Sequence, residues 1–153
     1  MDEAPQRLRR LPSWLLNQAA RHANRFVSEG FAAEGVRRQH FTVLVALTEH
    51  GPASQAELGR RLTIDRSDMN AVVNDLEEGG LVARTRDEGD RRRNVVALTP
   101  EGTKALERLD ARAEAAQAAL LEPLTAGERR ELQRLLAKLV DRHGGAGPAR
   151  SPQ

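Results

Sequence analysis

The chain has 153 residues, of which 39% are hydrophobic, 30% charged and 3% aromatic, with a formal net charge of +2. That length suits one domain of ordinary size or one domain with appended helices. A core restricted largely to Leu, Val and Ala favours helices packed on helices over a β-sandwich. With no cysteine, disulfides, thiolate metal sites and cysteine redox switching are excluded. No apolar run approaches membrane-spanning length and the N-terminus lacks a secretory apolar segment, so the expectation is a soluble, cytoplasmic protein with no membrane partner.

Residues 1–10 are polar and basic and are expected to form a flexible arm. Pro12-Ser13 opens a helical pattern with Leu11, Leu15, Ala19, His22 and Phe26 on one face, expected to end at Gly30. Val36, His40, Val43, Leu44 and Leu47 mark a second amphipathic helix, stopped by Gly51-Pro52. Ser54-Gln55-Ala56-Glu57 is a capping box that opens a short helix through Leu58 and Leu62. Asp65 then caps a helix from Arg66 to about Glu78, with Met69, Val72, Val73 and Leu76 inward and Gly79-Gly80 at its end. Two capped helices this close in sequence have the arrangement of a helix-turn-helix.

The pattern next changes to strands, 81–86 and 94–98, around the polar turn 87–93. A two-stranded ribbon is marginal alone and must lean on the preceding helices. Thr99 and Pro100 start a helix to about Leu120, with Leu106, Leu109, Ala113, Ala116 and Leu120 as its stripe. Pro123 breaks it, and Thr125-Ala126-Gly127-Glu128 caps a last helix through Leu132, Leu135, Leu136, Leu139 and Val140. The expected fold is mainly α with a small β-hairpin wing, in the order α-α-α-α-β-β-α-α. Its regions are an arm (1–10), a helical dimerisation region (11–50 and 99–142), a DNA-binding lobe (51–98) and a disordered tail (143–153).

The N-terminal half of a major-groove helix presents base-reading side chains, and here these are Arg66, Ser67, Asn70 and Asp68. Arg can read guanine and Asn adenine, while Ser reaches a base or a phosphate. Asp68 either accepts from a cytosine amino group or holds Arg66 in place. Ser54 and Gln55, at the start of the helix before the turn, are further DNA-binding candidates. In the hairpin Arg84, Arg86, Arg91, Arg92 and Arg93 stand against Asp87, Glu88 and Asp90, a local surplus of two positive charges. Arginine at a hairpin tip suits a narrow minor groove, and Asp90 can orient one of them. Double-stranded DNA is the expected partner.

These residues resemble the multiple antibiotic resistance regulator (MarR) family of winged helix-turn-helix transcription factors, from about Leu11 to Val140. The run from Asp90-Arg91-Arg92-Arg93 through Leu98-Thr99-Pro100-Glu101-Gly102 is similar to that family's wing signature. Ser54 to Gly59 resembles the first helix of its helix-turn-helix, and Leu76 to Arg84 the exit of its recognition helix. The resemblance implies an obligate-type homodimer and Asp90 and Arg92 as the wing pair. It also implies a small effector, often an aromatic or phenolic acid, bound where dimerisation helices meet the DNA-binding lobe. The apolar stripes of the last two helices independently suggest self-association.

Arg10, Trp14, Gln18 and His22 recur every fourth residue along the first helix, with Asn17 adjacent, and His40 lies on the apolar face of the second. A cation, a flat ring, an amide and an imidazole suit an aromatic carboxylate, although Trp14 reads more readily as core or dimer interface and the histidines as satisfied core residues. No cofactor, metal cluster or catalytic grouping is expected. The function expected is a ligand-released repressor on a pseudo-palindromic operator; the alternative is an architectural DNA binder without an effector.

Overall fold

The computed structural model describes residues 4–90 and 93–144. In chain order these form α1 (Gln6–Arg9), α2 (Pro12–Ala32), α3 (Arg38–His50), β1 (Ala53–Ser54), α4 (Gln55–Leu62), α5 (Arg66–Glu78), β2 (Val82–Arg86), β3 (Asn94–Leu98), α6 (Pro100–Leu120) and α7 (Ala126–Gly144). The chain divides into two compact units, Met1–Gln117 and Ala118–Gln153. The last residues of α6 and the whole of α7 belong to the second.

Phe31, Val43, Leu44, Leu47, Leu58, Met69, Val72, Val73, Leu76, Val82, Val96, Leu106 and Leu109 fill the core of the first unit. α3, α5 and α6 each contribute positions three or four apart, the stripe that buries one face, while α2 and α4 add Phe31 and Leu58. The helix starts follow their caps. The Ser54 hydroxyl accepts the Glu57 N–H at 3.2 Å, and Glu57 Oε2 accepts the Ser54 N–H at 2.9 Å. Asp65 Oδ1 accepts the Asp68 N–H at 2.9 Å. Thr99 Oγ1 accepts the Gly102 N–H at 3.0 Å and donates to the Gly80 carbonyl at 2.6 Å. In the second unit, Thr125 and Glu128 close the same reciprocal pair of bonds that Ser54 and Glu57 make.

α5 ends as its glycines require. Leu81 N–H donates to Leu76 O and Gly80 N–H to Glu77 O, with Gly80 at a φ of +73°. This Schellman geometry needs a left-handed residue, which glycine supplies without a Cβ clash. Gly102 meets a different demand: a Cβ there would lie 2.0 Å from the Leu81 carbonyl oxygen. The start of α6 is thereby pressed against the chain leaving α5.

Four features differ from the sequence expectation. Gly30 does not end α2, which runs on to Ala32 with Gly30 facing Arg112 of α6. One glycine costs a helix only about 1 kcal/mol, which packing readily offsets. Residues 6–9 form a turn of helix within the expected arm. The sheet has three strands, in the order β1-β3-β2, and all pairs are antiparallel. β1 joins through Ala53 opposite Val96 and Ser54 opposite Val95. Finally, much of the α6 stripe is satisfied within the chain, since Leu109 is 1% and Ala116 6% exposed. On α7, by contrast, Leu135 and Leu139 remain 45% and 48% exposed.

Candidate nucleic-acid interface

α4 and α5 are joined by a turn of three residues, 63–65. Thr63 closes α4 in the left-handed region at a φ of +55°, and Ile64 N–H returns to the Gly59 carbonyl at 3.0 Å. Asp65 then caps α5. Its carboxyl is held below the usual range, chiefly by the Asp68 N–H and next by the Ser67 hydroxyl. Because Met69, Val72 and Val73 face the core, the opposite face of α5 presents Arg66, Ser67, Asp68 and Asn70 to solvent. Ser67 Oγ donates to Asp65 at 2.9 Å. Among the described residues no ion pair joins Asp68 to Arg66.

The other candidates are divided between exposed and engaged. Ser54 is buried, its hydroxyl accepting from Glu57 N–H and from Arg93 Nη2 at 3.0 Å. Arg84 is also held inside the lobe, with its side chain only 18% exposed. Its Nη1 donates to Glu77 at 2.8 Å, its Nη2 to Asn74 at 2.7 Å and its Nε to Gln55 Oε1 at 3.0 Å. Gln55 in turn donates from Nε2 to Asn70 Oδ1 at 3.4 Å. Every guanidinium nitrogen of Arg84 is thus occupied, and it braces β2 against α4 and α5.

Arg93 anchors the base of the hairpin. It lies 2.5 Å from Glu57, whose carboxyl is held down to about 2 by the Ser54 N–H first and by Arg93 next. Glu57 correspondingly raises Arg93, with Asp87 and Asp90 adding to the same field. The turn is closed by Asp87 N–H to Arg93 O and Arg93 N–H to Asp90 O, while Asp87 Oδ1 accepts the Gly89 N–H. Arg86 ends β2 opposite Asn94 and is exposed. Arg91 and Arg92 lie outside the described residues. An open cleft of about 900 Å³ separates these elements, lined by Gln55, Arg60, Arg66 and Arg93 among others. Sequence reasoning passed over Arg60. It sits in the last turn of α4, where a basic residue reads as complementing the helix dipole.

A second cavity, about 530 Å³, lies behind α5 and is lined by Arg37, His40, Asp75, Leu81, Arg108 and Leu109 among others. His40 is 6% exposed, accepts the Arg37 N–H on Nδ1 at 2.8 Å and reaches Asp75 Oδ2 with Nε2 at 3.0 Å. The ring proton therefore sits on Nε2 and is donated to the carboxylate. Arg37 Nη2 donates to the same oxygen at 3.1 Å. On the far wall Glu34 accepts from Arg108 at 3.2 Å and Arg112 at 3.4 Å. Of the residues expected around an effector, only His40 lines this cavity. Trp14, Asn17, Gln18 and His22 stand on α2, and Arg10 closes α1, so it is not in the helix of the other four.

The comparison with known proteins agrees with this architecture. A model described as the MarR family matches residues 34–93, from the chain before α3 to Arg93. The HTH-type transcriptional repressor NicR of Pseudomonas putida is 36% identical over 107 residues, covering 70% of this chain and 68% of that protein. Among solved structures, Bordetella bronchiseptica BpsR, described for the regulation of its DNA binding by 6-hydroxynicotinic acid, superposes with a TM-score of 0.78 at 26% identity, over 86% of this chain and 94% of that one. The Mycobacterium tuberculosis protein Rv2887 in complex with salicylic acid superposes with a TM-score of 0.69 at 32% identity, over 90% of this chain and 98% of that one.

Proposed function

Because this chain belongs to the MarR family of winged helix-turn-helix transcriptional regulators, we propose that it is a sequence-specific repressor that binds a pseudo-palindromic operator as a homodimer and is released by a small aromatic or phenolic acid. The observation that carries the DNA reading is the solvent-facing row Arg66, Ser67 and Asn70 on α5, beside a hairpin whose Arg86 is exposed. A helix offering a cation and an amide suits the major groove, and a cationic hairpin suits the adjoining minor groove.

The effector reading rests on the cavity behind α5. Leu76, Leu81 and Leu109 give a ring an apolar wall, and Arg37 and Arg108 give a carboxylate two cations. Both arginines are already paired, Arg37 with Asp75 and Arg108 with Glu34. An entering carboxylate competes with those partners. Asp75 belongs to α5, so losing Arg37 loosens the helix that carries Asn70. The six residues Arg10, Trp14, Asn17, Gln18, His22 and His40 are then not one site, and His40 is the member that joins this one.

The test is fluorescence anisotropy of labelled DNA from upstream of the protein's own gene against a scrambled duplex, with and without salicylate and 6-hydroxynicotinate. Preference for the upstream duplex, reversed by an acid and not reversed in Arg108→Ala, is the expected result, and Arg37→Ala should bind that duplex more weakly with no acid present. Equal, salt-sensitive binding to both duplexes and to duplexes selected from a random pool would replace this reading with an architectural one.

A further inference from the structure

Arg84 carries more hydrogen bonds than bracing a strand requires, and one of them leads to the DNA-facing surface. Its guanidinium is fixed from behind by Glu77 and Asn74, which aims Nε–H at Gln55 Oε1. An amide whose oxygen is committed in this way must direct its NH2 elsewhere, and Gln55 Nε2 is directed at Asn70 Oδ1. Asn70 is therefore held with its oxygen toward the protein and its own NH2 group outward.

We propose that Arg84 is a positioning residue for sequence recognition. Acting through Gln55, it orients the Asn70 amide so that Asn70 offers N–H donors to the duplex and selects a base edge made of acceptors. Guanine presents two acceptors in the major groove, O6 and N7. Adenine presents N7 beside an N6 donor, and bidentate pairing with it needs the Asn oxygen that Gln55 already engages. The relay thus favours guanine over adenine where Asn70 meets each half-site. This inference rests on the DNA-reading function proposed above and sharpens it.

Gln55→Glu tests the relay with little change of shape. It keeps an acceptor for Arg84 but puts a carboxylate oxygen where the Gln55 NH2 stood, so Asn70 must turn its own NH2 inward and its oxygen out. Binding sites are selected from a random duplex pool with the full wild-type chain, Gln55→Glu, Asn70→Ala and the double variant. In the wild type, guanine should be preferred at one position per half-site. Asn70→Ala should erase that preference. Gln55→Glu should turn it toward adenine or cytosine, whose edges carry a donor, by about tenfold, the size of one well-made base contact. The double variant should match Asn70→Ala at that position. A general loss of affinity from the added negative charge would not move the base preference.

The arms separate the possible failures. A wild-type consensus with unchanged preference in Gln55→Glu overturns the relay and leaves the DNA reader standing. So does a consensus indifferent to Asn70→Ala. No consensus for the wild-type chain overturns the relay and the proposed function together. Arg84→Lys gives an independent check, since its ammonium cannot keep all three side-chain bonds. Guanine preference should weaken at the same position and no other, and the change should vanish in the Asn70→Ala background.

Discussion

Asp75 Oδ2 lies 3.0 Å from His40 Nε2 and 3.1 Å from Arg37 Nη2, so one oxygen on α5 receives both the buried end of α3 and the residue before it. The Asp75 carboxyl is held below its ordinary range, with the His40 hydrogen bond as the largest cause. The same imidazole takes the Arg37 N–H, an end group that α3 cannot satisfy within itself. His40 is thus a fully satisfied junction between two helices as well as a cavity wall.

His40→Ala should leave the Arg37 N–H without its partner and open a void beside the core. A loss of about 1–3 kcal/mol is expected from urea unfolding. His40→Gln should recover part of it, because glutamine at the third helical position can reach back to the same N–H. Equal stability of all three proteins would contradict the junction role.

Gly102→Ala should be costly although the site lies in a helix, where alanine is ordinarily the better residue. The added methyl would fall 2.0 Å from the Leu81 oxygen and 2.9 Å from Leu98 Cδ1. Relief requires α6 to move away from the end of α5, at a cost of about 1–3 kcal/mol or more. For a chain of this size each kcal/mol lowers Tm by roughly 2–4 °C, so a thermal melt should read the change directly.

Glu57 makes stability depend on acidity. Its carboxyl is held at about 2 against an ordinary 4.5, so its bonds to Ser54 and Arg93 contribute fully above pH 4.5 and are lost as pH falls through about 2. Glu57→Gln should therefore lower the urea midpoint at neutral pH, and the gap to wild type should close across that acidic window. A gap that stayed constant down to the lowest pH would mean that Glu57 is not held by these charged contacts.

Charge on the hairpin should act on affinity rather than on sequence choice. Arg86→Ala and Arg92→Ala should each reduce the salt slope of DNA binding by about one unit and weaken specific and random duplexes alike. Loss of binding confined to one sequence would instead assign the altered arginine to base reading.

The order of the larger elements was legible because the sequence writes its helix starts in local chemistry. Ser54 with Glu57, Asp65, Thr99, and Thr125 with Glu128 each cap within four residues, and all four helices begin where those caps stand. β1 was not legible, since two residues become a strand only through Val95 and Val96 some forty positions away. Gly30 misleads for the same reason: its purpose is set by Arg112, not by its neighbours. At the site, the solvent-facing row on α5 followed from periodicity. The division of the arginines did not. Charge alone cannot tell Arg86, which faces solvent, from Arg84, whose three partners come from two helices. Ser54 reads from sequence as a DNA-binding candidate, but its oxygen is consumed by the cap that reveals it.

Ser54 belongs at once to a strand, to a helix cap and to the grip on Arg93. The base of the hairpin and the helix pair are tied together at that point. On a duplex, such a protein behaves as a calliper with fused jaws. If α5 and the hairpin enter adjoining grooves as proposed, the protein sets the span between them, and an operator with one extra base pair between those contacts would have to bend or overtwist to meet both. The burden of adjustment would then fall on the DNA, and stiffness of base steps that no side chain reaches would become part of what is recognised.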